Sequence, residues 1–126
     1  MRIPFPAVLA CLSTMSLAPA AIAQDLSAGE DLFERCVACH TVEKDGTNRV
    51  GPNLWGLFDS PAGQRETGFA YSDALQNSGV VWTDETLSAY LARPRTFVPG
   101  TRMIFAGMKR ADQREDLIAY LRSVTR

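Results

Sequence analysis

Apolar side chains recur at helical spacing in three separate stretches of this chain. The first stretch is Leu32, Phe33, Cys36 and Val37, which lie three and four positions apart and share one helix face. The segment 27–30 reads Ser-Ala-Gly-Glu, which predicts a capping box with Ser27 at the N-cap. We therefore expect a helix that begins near residue 27 and carries the cysteines in its last turn.

Two further helices are predicted in the second half of the chain. The first begins at the N-cap Thr83, and Pro94 ends it because proline cannot continue a helix. The last begins near Asp112, where Glu115 completes a second capping-box-like start. Its apolar face consists of Leu117, Tyr120, Leu121 and Val124.

Between the first two helices the chain is rich in glycine and proline, which predicts mostly loop from Thr41 to Gln76, with one short helical turn at Ser72-Asp73. So long a segment without regular structure is unusual inside a small domain. We therefore expect the loop to wrap around a bound group. The apolar side chains available for this are Leu54, Trp55, Leu57, Phe58, Phe69 and Tyr71.

The first 23 residues have the organisation of a cleaved secretory signal peptide. Arg2 supplies a positive charge, residues 7–18 form an apolar run, and Ala21-Ile22-Ala23 matches the small-x-small cleavage rule. We expect cleavage before Gln24, export to the periplasm, and one mature domain over 24–126.

Two alternatives to cleavage fit the sequence less well. An uncleaved anchor needs about 20 apolar residues to span a bilayer, and this run is shorter and is followed by Pro19. A lipoprotein site at Cys11 leaves almost no apolar run ahead of it. We expect no membrane span in the mature chain, and the formal net charge of −1 does not suggest a nucleic-acid partner.

The residues 36–40 read Cys-Val-Ala-Cys-His, the C-x-x-C-H pattern of c-type haem attachment. The two thiols can add across the vinyl groups of one porphyrin, and the thioether bonds then fix the ring to the chain. His40 follows the second bond directly, so its imidazole can reach the iron from one face. The motif therefore predicts Cys36 and Cys39 as attachment sites and His40 as an iron ligand.

C-x-x-C also occurs in thioredoxin-like redox pairs and in zinc sites. A structural zinc site is normally four-coordinate with mostly Cys and His ligands, and the mature chain has only Cys36, Cys39 and His40. A thioredoxin-like fold would place a βαβ pattern around the motif, and none is visible. A disulfide or redox pair remains the main alternative to haem attachment.

The second face of the iron has few candidate ligands. The chain has one histidine, so bis-histidine ligation is excluded, and a methionine or an open site remains. Outside the signal peptide the methionines are Met103 and Met108. Met103 lies in a loop bounded by proline and glycine, far along the chain from His40, and it is the stronger candidate, although methionine more often fills a core.

Four segments together resemble the small soluble class I cytochromes c of mitochondria and the bacterial periplasm. They are 36–42 (CVACHTV), 51–54 (GPNL), 99–107 (PGTRMIFAG) and 114–121 (REDLIAYL), and the match runs in order from about Ser27 to the C-terminus. The resemblance implies an all-α fold of three main helices and long loops around one covalently attached haem c per chain. It also implies that the first and last helices cross, with Gly29 and Phe33 near Leu117 and Tyr120.

The resemblance further implies roles for individual residues. Met103 would be the sixth iron ligand, and the Pro52 carbonyl would accept a hydrogen bond from the other ring nitrogen of His40. Tyr71 and Trp82 match positions that hydrogen-bond the haem propionates.

The chain departs from the family at three positions. Ser60 stands where an arginine often lies near the propionates, Leu75 stands where an asparagine is common, and Arg102 replaces a frequent lysine beside the methionine. The propionate charge would then be met by Arg49, by Arg65 or by water.

With both axial positions filled, the expected function is outer-sphere transfer of one electron rather than enzymatic catalysis. His/Met ligation raises the haem potential, so the expected partners are a respiratory or photosynthetic donor, such as a quinol-oxidising complex, and a terminal oxidase or reductase. A dehydrogenase is another possible partner, and we expect a monomer.

A set of basic residues is expected to steer acidic partners to the haem edge; it comprises Arg93, Arg95, Arg102, Lys109 and Arg110. The alternative is a gas sensor or weak peroxidase with a labile sixth site.

Overall fold

The computed structural model describes Met1 and residues 23–126, in which helices are joined by long loops. The helices are α1 (Leu26–Phe33), α2 (Asp73–Gln76), α3 (Asp84–Ala92), α4 (Pro94–Phe97) and α5 (Ala111–Val124). In this part of the chain there is no strand, only one isolated antiparallel bridge between Pro61 and Val81. The predicted all-α fold with three main helices is therefore confirmed, with α2 and α4 as additional single turns.

The expected signal peptide lies outside the described residues, except for Met1 and Ala23. Within the described residues, no helix combines the length and the hydropathy that crossing a bilayer would require.

The first and last helices cross closely at Gly29. A Cβ atom on Gly29 would lie 2.7 Å from the Cβ of Tyr120, and it would come closer still to the carbonyl oxygen of Asp116. One turn further on, the ring centroids of Phe33 and Tyr120 are 5.7 Å apart. Leu117, at 1% exposure, lies in the same buried core as Phe33. The predicted crossing of the terminal helices is confirmed.

The remaining core is formed where α3 packs against α4 and α5. Trp82, just before α3, lies 5.1 Å from the ring of Tyr90, which in turn lies 6.4 Å from the ring of Phe97 in α4. The buried non-aromatic apolar side chains are contributed by loops as well as helices; they are Leu54, Leu57, Ala62, Leu87, Leu91, Val98, Met108, Leu117, Ile118 and Leu121. The long loop therefore supplies core residues of its own, Leu54 and Leu57.

The predicted helix starts are correct for α3 and wrong in detail for α1 and α5. Thr83 caps α3, and its backbone and side chain exchange hydrogen bonds with Thr86. The N-cap of α1 is Asp25 rather than Ser27, because the Asp25 carboxylate accepts the N–H groups of Ser27 and Ala28 at 2.9 and 3.1 Å. A carboxylate at this position also interacts favourably with the positive end of the helix dipole.

The predicted cap of α5 fails because its carboxylate is engaged elsewhere. Asp112 lies in the first turn of the helix, and its side chain pairs with Arg110 instead of capping the helix. Arg110 itself occupies the N-cap position without a side-chain capping bond.

The loop over residues 41–72 is held by hydrogen bonds that involve side chains. The Asn53 amide donates to the Thr41 hydroxyl at 2.8 Å and to the Glu43 carbonyl at 3.0 Å. A backbone bond also contributes, since the Gly56 N–H donates to the Thr125 carbonyl at 2.8 Å. These bonds give a loop without helices a defined course, and buried polar groups such as Asn53 are satisfied.

Replacing Gly29 with alanine should destabilise the protein. The added methyl group would collide with the Asp116 backbone and with Tyr120, and overpacking of this kind typically costs about 1–3 kcal/mol. The gain in helix propensity, about 1 kcal/mol, offsets only part of that cost. Denaturant unfolding of the haem-loaded protein measures the change.

Ser27→Ala, at an exposed position of the same helix, is the matched control and should change the free energy of unfolding by less than about 0.5 kcal/mol. Equal stabilities of the Gly29→Ala and Ser27→Ala proteins would contradict the close crossing.

Candidate haem site

The two cysteines and the histidine lie on tight turns directly after α1. The Cys36 N–H donates to the Phe33 carbonyl at 2.7 Å, and the N–H groups of Cys39 and His40 both donate to the Cys36 carbonyl, at 3.0 and 2.9 Å. The prediction that the last turn of the helix carries the cysteines is therefore wrong. The helix ends at Phe33 because bonds to the third preceding residue replace the helical pattern.

Both thiols of the motif are free and half-buried. Burial raises the pKa of the Cys36 thiol, although the charge of Arg35 opposes this shift. Cys36 also packs against the hydrophobic core. The motif therefore lies at the edge of the core, where both cysteines remain partly exposed.

The imidazole of His40 is held by the segment Gly51-Pro52. His40 Nδ1 lies 2.7 Å from the Pro52 carbonyl oxygen, a distance that requires the proton on Nδ1 and leaves the lone pair on Nε2. Burial lowers the pKa of His40; the bond to Pro52 opposes this shift, and the charge of Arg65 adds to it. The ring is therefore a neutral imidazole with one nitrogen free to bind a metal.

Gly51 allows the chain to approach this imidazole. A Cβ atom at Gly51 would lie 2.8 Å from both ring nitrogens of His40, closer than van der Waals contact permits. The Gly51 N–H also donates to the Cys39 carbonyl at 2.8 Å, so this segment is tied to the motif itself. A Gly-Pro pair in a sequence indicates a turn, but it does not reveal that a ring lies against it.

Met103 lies in a loop that is anchored on both sides. On one side, the Thr101 hydroxyl lies 2.7 Å from the Tyr90 hydroxyl, and the Thr101 N–H donates to the Val98 carbonyl at 3.0 Å. On the other side, the Met108 N–H donates to the Leu91 carbonyl at 2.8 Å. The two anchors fix the ends of the loop against α3, and the residues between them have no helix of their own.

The two methionines have different environments. Met108 is 2% exposed and belongs to the core. Met103 is half-buried and packs against the core from its edge. Of the two thioethers, only that of Met103 keeps a partly open side.

Tyr71 lies shortly before α2, and Trp82 lies shortly before α3. The Tyr71 hydroxyl lies 3.2 Å from the Thr67 hydroxyl. Trp82 is buried at 5% exposure, and its backbone N–H donates to the Ser60 carbonyl at 3.0 Å.

The three positions that depart from the family have distinct surroundings. The Ser60 hydroxyl donates to the Leu57 carbonyl, and Leu75 is half-buried against the core. Arg102 donates to the Ala70 carbonyl at 2.7 Å, which ties the Met103 loop to the loop that carries Tyr71.

Of the two arginines expected near the propionates, Arg49 and Arg65, only Arg65 is buried to any extent. Its Nη1 donates to the Trp55 carbonyl at 2.6 Å and its Nη2 to the Asn53 carbonyl at 2.7 Å. Arg49 is exposed and donates to the Val37 carbonyl.

These side chains fit a covalently attached haem in three respects. The donor set pairs free thiols with an imidazole whose Nε2 is available. The surroundings are apolar but only partly covered by protein; the half-buried side chains against the core include Leu32, Val42, Leu75, Met103 and Phe105. Finally, Arg65 supplies a positive charge close to His40, which suits a ligand with anionic groups.

Comparison with known proteins gives a consistent result. The family model described as "Cytochrome c" matches residues 26–125. Cytochrome c of Gibberella zeae is 48% identical over 103 residues, which are 81% of this chain and 96% of that protein. Cytochrome c2 of Blastochloris viridis is 50% identical over 107 residues, which are 85% of this chain and 83% of that protein.

A solved structure agrees with these relatives. Cytochrome cH from Methylobacterium extorquens superposes with a TM-score of 0.74 at 43% sequence identity, covering 79% of this chain and 98% of that chain. With the family match, the crossing of α1 and α5 and the haem-attachment motif, this likeness leads to one conclusion: the chain belongs to the cytochrome c family.

Proposed function

We propose that this chain carries single electrons between redox proteins through one covalently attached haem c. Cys36 and Cys39 would hold the haem through two thioether bonds, and His40 and Met103 would ligate its iron. The observation that carries the proposal is the bond from His40 Nδ1 to the Pro52 carbonyl, which leaves Nε2 free. The bound haem supplies an iron that gains and loses one electron.

The protein residues then hold and orient the cofactor. Pro52 fixes the tautomer and the plane of the imidazole, as partners of metal-bound histidines commonly do. The loop anchored at Thr101 and Met108 carries the Met103 thioether to the edge of the core. Met103 is half-buried there, which supports its role as a ligand. Trp82 would donate its indole N–H, and Tyr71 its hydroxyl, to a propionate; the match of both positions to the family supports these roles.

Two protein ligands leave no iron position for a substrate, so the chain acts as an electron carrier and not as an enzyme. His/Met ligation raises the haem potential. The protein therefore accepts electrons from a respiratory or photosynthetic donor, such as a quinol-oxidising complex or a dehydrogenase. It passes them to a terminal oxidase or reductase. The family relatives support a carrier over a gas sensor or peroxidase, whose sixth site would have to open.

Three arginines border the Met103 loop and form the proposed docking face: Arg93, Arg95 and Arg102. Arg93 and Arg95 line a hollow of about 440 Å³ together with Ile104 and Phe105. Ile104 is 90% exposed, so an apolar side chain lies beside these charges. A basic surface with an exposed apolar centre suits transient docking of acidic redox proteins. Arg110 contributes less because Asp112 pairs with it.

The mature protein is proposed to be a periplasmic monomer that comprises residues 24–126. The support is the sequence of residues 1–23, with a basic start, an apolar run and Ala21-Ile22-Ala23 before Gln24. The family match begins at residue 26, which agrees with a domain that starts after this segment.

Replacing Met103 with leucine should remove the sixth ligand while keeping the apolar volume. The expected results are loss of the weak long-wavelength band of methionine-bound ferric haem, a lower reduction potential and CO binding by the reduced protein. Absorption spectra recorded during a redox titration measure all three.

Met108→Leu is the control because Met108 lies in the core at 2% exposure. Its spectrum and potential should stay unchanged, with a stability loss below about 1.5 kcal/mol. A Met103→Leu protein with the original spectrum and potential would refute the ligand assignment, and rapid CO binding by the unmodified reduced protein would favour the sensor or peroxidase.

Neutralising the docking face should slow the reaction with anionic oxidants. The Arg93→Gln/Arg95→Gln double variant should react more slowly with ferricyanide at low salt, and the difference should disappear as added salt screens the charges. Stopped-flow oxidation of the reduced protein gives the rates. With a cationic cobalt complex as the oxidant, the same variant should react faster.

Arg126→Gln, at the other end of α5 from residue 110, is the control for a change of charge elsewhere. Ferricyanide rates that respond equally to both sets of substitutions would show that net charge, not this face, sets the rate.

Expression with the haem-maturation machinery should yield a periplasmic protein whose N-terminus is residue 24. Intact-mass analysis should find the mass of 24–126 plus one haem. Ala23→Leu should impair cleavage because the site requires a small residue at that position. A haem-loaded product that retains residues 1–23 would refute the cleaved signal peptide.

A further inference from the structure

Arg65 is a partly buried cation without an acidic partner. Within residues 23–126, the ion pairs are Arg110–Asp112 and Arg122–Asp84, and Arg65 takes part in neither. Glu66, its neighbour in sequence, is exposed and forms no ion pair with it. Removing a charge from water without a counter-charge is costly, so this arrangement needs an explanation.

The Arg65 guanidinium is fixed by two backbone carbonyls. Its bonds to the oxygens of Trp55 and Asn53, at 2.6 and 2.7 Å, use two of its five N–H donors and leave three. Neutral carbonyls orient the group but do not cancel its charge. Burial accordingly lowers the pKa of Arg65, and the neighbouring Tyr71 side chain opposes that shift.

The position of this charge links it to the proposed haem site. On one side the guanidinium neighbours Tyr71, a residue proposed to contact a propionate. On the other side its Nη2 donates to the carbonyl of Asn53, the residue that follows Pro52, whose own carbonyl oxygen lies 2.7 Å from His40 Nδ1. The cation therefore lies beside the segment that holds the proximal ligand and beside a residue expected to contact a carboxylate.

The other polar groups considered for this role are engaged elsewhere. Arg49 is exposed and its guanidinium donates to the Val37 carbonyl. Ser60 carries no charge, and its hydroxyl donates to the Leu57 carbonyl. Among these candidates, only Arg65 offers a partly desolvated charge with spare donors.

We propose that Arg65 is the cation that binds a haem propionate in this protein, an inference that rests on the proposed haem site. The guanidinium would donate to the carboxylate with the N–H groups that the two carbonyls leave free. Charge-assisted bonds of this kind are stronger than neutral ones and fix geometry. The pair would keep the propionate ionised and would offset its negative charge near the iron.

The test is the pH dependence of the reduction potential in the haem-loaded protein. In Arg65→Gln, the unpaired propionate has a raised pKa, and reduction of the iron favours its protonation. The potential should therefore fall more steeply with rising pH, between about pH 5 and pH 8, than it does in the unmodified protein. At high pH the variant's potential should be lower because the propionate charge is no longer offset.

Two control variants separate charge from structure. Arg49→Gln changes the net charge equally and should keep the pH profile of the unmodified protein. Arg65→Lys retains the charge and should also keep that pH profile. The neighbouring titratable groups His40, Tyr71 and Glu66 are unchanged in every variant. A flat profile in Arg65→Gln, an equal change in Arg49→Gln, or a lysine variant that behaves like the glutamine variant would overturn the assignment.

A crystal structure of the unmodified haem-loaded protein provides a second measurement if Arg65→Gln does not mature. A propionate oxygen within about 4 Å of the Arg65 guanidinium is expected, and its absence would overturn the proposal. Failure of the proposed function itself is distinguishable, because a protein that binds no haem, or lacks the Met103 ligand, is detected by its spectrum.

Discussion

The hydrogen bond between His40 and the Pro52 carbonyl is the interaction on which the chemistry of this molecule depends. At 2.7 Å it assigns the proton to Nδ1, and burial keeps the ring neutral. The bond exists because Gly51 lets the backbone pass directly against the ring. A single position without a side chain thus determines which nitrogen of the only histidine is available to a metal.

Partial burial is the common property of the side chains around this imidazole. Cys36, Met103 and Phe105 pack against the core, yet each keeps some exposed surface, whereas Met108 and Leu117 are fully enclosed. A domain of about 100 residues has a limited core of its own. A large apolar cofactor that covers the partly exposed set would complete that core, so the cofactor contributes to the stability of the fold as well as to its function.

The sequence predicted the architecture well because the relevant signals are local or highly specific. Helical periodicity located α5, Thr83 and Pro94 bounded α3, and the motif at residues 36–40 identified the cofactor class. The Asp25 cap was missed because Ser27 and Asp25 are both good N-caps, and only the backbone geometry decides between them. The choice between Arg49 and Arg65 was likewise open, since burial depends on contacts with Asn53 and Trp55 that no local pattern encodes.

The contact between α1 and α5 joins segments that are almost a full chain length apart. The Asp25 N–H bonds the Asp116 carboxylate across a separation of 91 residues, and the packing at Gly29 depends on Tyr120. Among the described helices, α1 packs only against α5, so it cannot complete its packing until α5 is present. Contacts of such high sequence separation delay folding. A newly made chain therefore leaves the apolar face of α1 uncovered until α5 has been synthesised and has folded against it.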